Sequence, residues 1–233
     1  MNTAMLCAIP ARGGSKRLPD KNLLPLAGKP MIAYTIETAL KSGRFADVYV
    51  CTDDRRIAEA AREYGARVPL LMPPELCDDL VASHVPCRRM AEFLAAEERL
   101  TTDSLVCLQP TSPLRSVADL TAAVDRFERG DLDFLVSVTP IDPHYFHWAV
   151  EESAQAEWRM FFGDRFMKER PLLPPVFRPN GAIKIARLDK LAAAGHFFGL
   201  RLGTIETPED RSIHVATRFE FDLCEYLLAR RSA

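Results

Sequence analysis

Residues 6–22 read Leu6-Cys7-Ala8-Ile9-Pro10-Ala11-Arg12-Gly13-Gly14-Ser15-Lys16-Arg17-Leu18-Pro19-Asp20-Lys21-Asn22. Leu6 to Pro10 holds no charged or amide side chain and no polar alternation, which is the pattern of a strand buried on both faces. The loop that follows has two adjacent glycines and four basic side chains, Arg12, Lys16, Arg17 and Lys21. Glycine lets backbone N–H groups approach an anion closely, and the cations add attraction, so the loop suits a polyphosphate. The spacing is neither that of a Walker loop nor G-x-G-x-x-G. A solvated turn with scattered charges is the plain alternative. The glycines and cations together, placed straight after a buried strand, favour the anion site.

Outward from this segment, strand and helix patterns alternate. Pro30 to Lys41 is helical in spacing, Asp47 to Thr52 a second strand, and Asp54 to Tyr64 an amphipathic helix closed by Gly65. Val68 to Met72 could form a short strand. Ser83 to Leu100 is helical, Ser104 to Gln109 a buried strand, and Ser116 can cap a helix reaching Arg129. Phe134 to Val138 and Ala182 to Arg187 read as further strands. A helix follows to about Ala194, and the tail from Thr217 to Arg231 is helical again. The expectation is an α/β domain with a parallel sheet covered by helices, with ligands bound beyond the carboxyl ends of the strands. The segments after Pro10, Cys51 and Gln109 all lie there. Residues 139–180 interrupt the rhythm with prolines, aromatics and charges.

Composition narrows the function classes. A net charge of −2 on 233 residues argues against a general nucleic-acid binder. No apolar run reaches the roughly 18 residues that span a bilayer, and the apolar stretch Met5 to Pro10 is too short for a signal peptide. Six cysteines without C-x-x-C spacing fit a reduced, cytoplasmic protein. No Ser/His/Asp or Cys/His arrangement points to a protein nucleophile.

The string IPARGGSKRLPDKNL resembles the signature of the acylneuraminate cytidylyltransferases. The resemblance continues through GKPMIAYTIETAL, VCTDD, LQPTSPLR at 108–115 and FRPNGAI at 177–183, in the family's order along nearly the whole chain. It implies a single domain over 1–233 with a Rossmann-like nucleotidyltransferase sheet. It also implies a small inserted dimerisation subdomain at 139–177, and hence a homodimer.

The activity implied is transfer of CMP from CTP to the anomeric hydroxyl of a nine-carbon sialic-type sugar acid, N-acylneuraminate or legionaminate-like, with release of pyrophosphate. The alternatives are another 3-deoxy-ulosonic acid, such as a pseudaminate or a Kdo-like acid, and a homologue that binds without turnover. By the same resemblance Arg12, Ser15, Lys16 and Lys21 hold the CTP phosphates, with Lys21 near the reacting α-phosphate and Arg12 also catalytic. Ala11 and Gly13 belong to the CTP-binding backbone. Ser83 lies near the nucleotide or caps its helix.

Asn22 and Gln109 are assigned to the sugar, Arg170 to its carboxylate, Asn180 to substrate or a neighbouring loop, and Phe197 and Phe198 to the acyl-group pocket. Arg115, Thr111 and Ser112 either touch ligand or only shape their loop, and Arg178 either lies near the sugar or is structural. Asp54 reads better as a helix cap than as a ligand.

The sequence departs from the family in one chemically serious place. The family's two Mg²⁺-binding aspartates align with His214 and Ala216, so Mg²⁺ is expected but its protein ligands are unassigned, with Glu220 or Asp222 as possible helpers. Met72 and Lys184 are further departures, standing where relatives carry an arginine and an aromatic.

Overall fold

The computed structural model describes residues 5–231. In chain order the elements are β1 Met5–Pro10, β2 Pro25–Leu26, β3 Lys29–Pro30, α1 Met31–Lys41, β4 Val48–Cys51, α2 Arg55–Glu63, α3 His84–Glu97 and β5 Ser104–Cys107. There follow α4 Val117–Glu128, β6 Phe134–Ile141, α5 Pro143–His147, β7 Val150–Glu152, β8 Trp158–Met160, β9 Val176–Arg187, α6 Leu188–Ala194, β10 Leu202–Glu206 and α7 Arg218–Arg231. Six strands form the central sheet in the order β10-β6-β9-β5-β1-β4.

Local chemistry sets the helix starts. The Ser116 hydroxyl accepts from the Asp119 N–H while the Asp119 carboxylate takes the Ser116 N–H, a reciprocal cap on α4. The Asp54 carboxylate accepts from the Arg56 N–H at the start of α2, as its position in the sequence suggests. Apolar side chains pack on both faces of the sheet. Ile9, Val50, Val106 and Ile183 sit with α1, α2 and α4 on one side, and Ala8, Cys107, Val136 and Phe197 with α3 and α6 on the other. All six cysteines are buried free thiols. Among the described residues no helix is long and apolar enough to cross a membrane.

Three expectations need correction. The sheet is mixed, because β9 runs antiparallel between β5 and β6 while the other pairings are parallel. The short stretch Ala182 to Arg187 reads as a strand without revealing its direction. Second, Val68 to Met72 is not a strand. Only Arg67 bridges to Tyr49, and Pro69, Pro73 and Pro74 beyond it have no N–H to extend a ladder. Third, the edge strand β10 was not foreseen. A Cβ at its Gly203 would lie 2.3 Å from Leu132 Cδ1, so this glycine permits the close approach that also hides the strand pattern.

The interruption in the rhythm emerges from the sheet itself. β6 and β9 extend past it as a pair, from Thr139 opposite Arg178 to Ile141 opposite Val176. They carry α5 and the β7–β8 hairpin at their tip.

Candidate active site

A cleft of about 320 Å³ opens where β1, β4 and β5 end, with Pro10, Cys51 and Gln109 in its wall. The glycine loop forms one side. The Ala11 N–H donates to the Cys51 carbonyl at 2.9 Å, and the Gly13 N–H donates to Asp53 Oδ1 at 2.9 Å. A Cβ at Gly13 would lie 2.8 Å from Asp54 Oδ2, so only glycine lets the loop pass this carboxylate. Asp53 therefore anchors the loop.

Cations line this wall. Arg12, Arg17 and Lys21 all face the cleft. Lys21 Nζ donates to the Val215 carbonyl at 3.1 Å, and burial, followed by the charges of Arg12 and Arg17, lowers its pKa. Asn22 is buried, donates from Nδ2 to the Arg12 carbonyl at 3.0 Å, and leaves its buried Oδ1 without a partner. The opposite lip brings an acid that the sequence reading had not connected to the loop. Asp79 pairs with Arg12 and, at 2.7 Å, with Lys16.

The floor is built around Gln109 and a buried arginine. Arg115 donates from Nε to the Ala182 carbonyl at 2.8 Å and from Nη2 to the Gln109 carbonyl at 2.8 Å. Burial pushes its pKa down to about 10. Arg115 is thus a strut, the loop-shaping alternative left open by the sequence. The Gln109 side chain faces the cleft, where its Nε2 lies 3.5 Å from Ser83 Oγ and its Oε1 accepts from Thr111 Oγ1 at 3.4 Å. Ser83 sits at the start of α3 but its side chain makes no cap bond, so the hydroxyl faces the cleft.

His214 closes the floor. Its Nδ1 is 3.2 Å from Thr111 Oγ1, and the adjacent Val215 N–H donates to the Thr111 carbonyl at 2.7 Å. Burial, then the charges of Lys21, Lys184 and Arg17, push the His214 pKa down to about 4. The imidazole is neutral at neutral pH and lies in a positive field.

A cationic pocket at strand ends, walled by a glycine loop, suits binding and transfer of a phosphorylated group. A family model described as Cytidylyltransferase matches residues 6–146, more than half of the chain. The chain belongs to the cytidylyltransferase family. It is 39% identical over 137 residues to the pseudaminic acid cytidylyltransferase of Campylobacter jejuni, covering 59% of each chain. It is 34% identical over 218 residues to the N-acylneuraminate cytidylyltransferase of Streptococcus agalactiae, covering 93% of this chain and 51% of that one. The chain therefore spans about half to three-fifths of the length of these relatives. Its fold matches the structure of a CMP:2-keto-3-deoxy-manno-octonic acid synthetase complexed with CTP, with a TM-score of 0.72 and 20% identity over 98% of this chain and 100% of the other.

The divalent ion expected of a cytidylyltransferase meets a poor donor set in this one. Ala216 has no donor, and the neutral His214 is surrounded by cations that would repel a dication. Glu220 turns back to accept from the Thr217 N–H at 2.8 Å and from the Thr217 hydroxyl, while Asp222 pairs with Arg218 at 2.7 Å. Among the described residues no group of three His, Cys, Asp or Glu side chains could hold a metal ion. The residues present do not fit a protein-held Mg²⁺.

The residues expected at the sugar divide. Asn22 and Gln109 line the cleft. Of the two alternatives for Asn180, the structure shows the neighbouring loop. The side chain is buried, its Nδ2 donates to Thr207 Oγ1 at 2.6 Å and Ser212 Oγ at 3.0 Å, and its Oδ1 accepts from Ser137 Oγ and the Ala182 N–H. No hydrogen-bonding capacity is left for substrate. Arg170 is largely exposed and pairs with Asp142 at 3.3 Å, away from the cleft wall. Arg178 donates to the Ser212 carbonyl at 3.3 Å, a structural contact. Phe197 is buried in the sheet core, whereas Phe198 is exposed. Met72, standing where relatives carry an arginine, is buried in the core.

Proposed function

We propose that this cytidylyltransferase transfers CMP from CTP to the anomeric hydroxyl of a nine-carbon sialic-type sugar acid and releases pyrophosphate. The observation that carries the reading is the cationic glycine loop, Arg12 to Lys21, held at the strand ends opposite Gln109. The streptococcal likeness over 93% of the chain supports the N-acylneuraminate type, and the Campylobacter likeness keeps pseudaminate as the second candidate.

In this reaction the anomeric oxygen bonds to the α-phosphorus as the bond from that phosphorus to the β-phosphate's bridging oxygen breaks. Pyrophosphate leaves with the electron pair, and the hydroxyl proton passes to solvent. Arg12, Ser15, Lys16 and Lys21 take the phosphates, with Ala11, Gly13 and Ser83 beside the nucleotide and Lys21 nearest the α-phosphate. Rate comes from positioning and from charges already in place when negative charge shifts onto the leaving group. Because the described residues beside the cleft offer no ion site, a divalent ion would have to be carried by the nucleotide. The exposed aromatics of the insertion, Tyr145, Trp158 and Phe161, support a homodimer through that segment, and the six buried thiols support a cytoplasmic setting. Incubation with CTP and N-acetylneuraminate or pseudaminate tests the activity. Sugar-dependent pyrophosphate release is expected, and its absence with both acids overturns the reading.

A further inference from the structure

A hydroxyl that attacks phosphorus must give up its proton, and few groups lining the cleft can take one. Asp79 is tied to Arg12 and Lys16. Asp78 accepts from the Leu80 N–H at 3.0 Å. Burial pushes the Cys77 thiol up to about 11, so it keeps its own proton, and Cys51 is buried in the sheet. Among the described residues that leaves His214, which lines the cleft where the family carries an aspartate.

The hydrogen bonds around His214 decide which ring nitrogen is available. Nδ1 lies 3.2 Å from Thr111 Oγ1, and the backbone passes the same edge at Gly181, where a Cβ would be 3.6 Å from Nδ1. The Thr111 hydroxyl has one hydrogen, which it donates to Gln109 Oε1 at 3.4 Å. Its oxygen is left to accept the Nδ1–H, and this tautomer puts the ring's lone pair on Nε2. Nε2 has no hydrogen-bond partner among the described residues and is not sealed from solvent, so the lone pair opens into the cleft. The carbonyl of the next residue, Val215, holds Lys21 Nζ at 3.1 Å. The imidazole and the cation assigned to the α-phosphate thus share one corner.

We propose that His214 is a catalytic residue whose Nε2 takes the proton of the sugar's anomeric hydroxyl during transfer. The inference rests on the sugar-acid reading above. As the hydroxyl oxygen bonds to the α-phosphorus, its proton moves onto the Nε2 lone pair. The bond from phosphorus to the bridging oxygen breaks with its electrons going to pyrophosphate, and the imidazolium then passes the proton to solvent. The surrounding charges suit this role. Burial, then Lys21, Lys184 and Arg17, with Glu220 opposing, hold the His214 pKa down at about 4, so the free protein presents an unprotonated imidazole at neutral pH. A bound triphosphate and sugar carboxylate offset those cations, which raises the imidazole's affinity for a proton when the hydroxyl has one to lose.

The test compares wild type, His214→Gln and His214→Ala in steady-state turnover of CTP with N-acetylneuraminate or pseudaminate, with melting temperatures to show that the variants fold. Glutamine keeps a polar side chain but takes no proton, so kcat should fall by about a hundredfold with little change in either KM. Wild-type kcat should fall off with a single proton at acid pH, at a value above the free protein's figure of about 4, and His214→Gln should lack this limb. Imidazole added to His214→Ala should restore turnover in proportion to its unprotonated form. A His214→Gln variant with wild-type kcat, or with a raised KM at unchanged kcat, overturns the inference and leaves the sugar-acid reading standing. So does a loss of kcat that keeps the acid limb and does not respond to imidazole. Wild type without sugar-dependent pyrophosphate release overturns the sugar-acid reading and the inference with it.

Discussion

Asp79 and Lys16 form a 2.7 Å ion pair across the mouth of the cleft, and the same carboxylate holds Arg12. The protein's own acid thus occupies two cations of the phosphate loop. A polyphosphate must displace Asp79 to reach them, so Asp79→Asn should bind pyrophosphate more tightly than wild type. The pair is partly exposed, and the gain should be small and fade with added salt. Isothermal titration with pyrophosphate at low and high salt checks this, and weaker binding by the variant would count against the displacement.

Lys21 faces the cleft with a lowered pKa, burial being the main cause. Lys21→Met should lower turnover by about 10²–10³ with little change in melting temperature, because one preorganised charge is lost from the transition state. A depressed lysine pKa means the free enzyme loses this charge, and activity with it, as pH rises through a value below 10.5, the ordinary one. The alkaline limb of kcat/KM should therefore lie below that value and vanish in the variant. A limb that survives in Lys21→Met belongs to another group.

Much of this arrangement is legible in the sequence, and the reasons are physical. β1, β4 and β5 are unbroken apolar runs, and the glycine loop follows the first of them, so the cleft could be placed from the chain alone. Strand direction could not. The strand pattern of β9 reads the same whether it runs parallel or antiparallel, and Gly203 disguises β10. The cation set was legible because charge is written in residue type, but the Asp79 clasp depends on two distant loops meeting. Asn180 stays open between substrate and a neighbouring loop in the sequence because an amide that ties β6, β9 and the 207–212 loop together has the same letter as one that faces ligand. Ala216 was readable at once, since an alanine side chain has no donor atom for a metal.

The poor donor set at His214 and Ala216 predicts that wild type binds Mg²⁺ only together with nucleotide, each raising the other's affinity by the same factor. The double variant His214→Asp, Ala216→Asp should bind Mg²⁺ without nucleotide and reach full turnover at lower Mg²⁺. Titration of both proteins with Mg²⁺, with and without CTP, distinguishes the cases. Saturation of the wild type at low Mg²⁺ without CTP would place the ion on residues outside this segment.

The insertion leaves Tyr145 84% and Leu172 69% exposed beside Trp158 and Phe161. Apolar surface on this scale predicts that a second copy covers it in a two-fold pair. Light scattering at micromolar concentration should give twice the 26.1 kDa chain mass. Phe161→Glu with Leu172→Glu should shift it to a single chain. A wild-type mass of one chain would leave this surface without its proposed partner.

The direct test of the central claim follows the anomeric oxygen. Wild type is supplied with CTP and N-acetylneuraminate or pseudaminate carrying ¹⁸O at the anomeric hydroxyl, and the products are read by ³¹P NMR and mass spectrometry. Direct displacement predicts ¹⁸O in the bridge between sugar and α-phosphorus, with one unlabelled pyrophosphate released per CMP-sugar formed. Pyrophosphate release that is independent of the sugar, or a CMP-sugar whose bridge lacks the label, would contradict it.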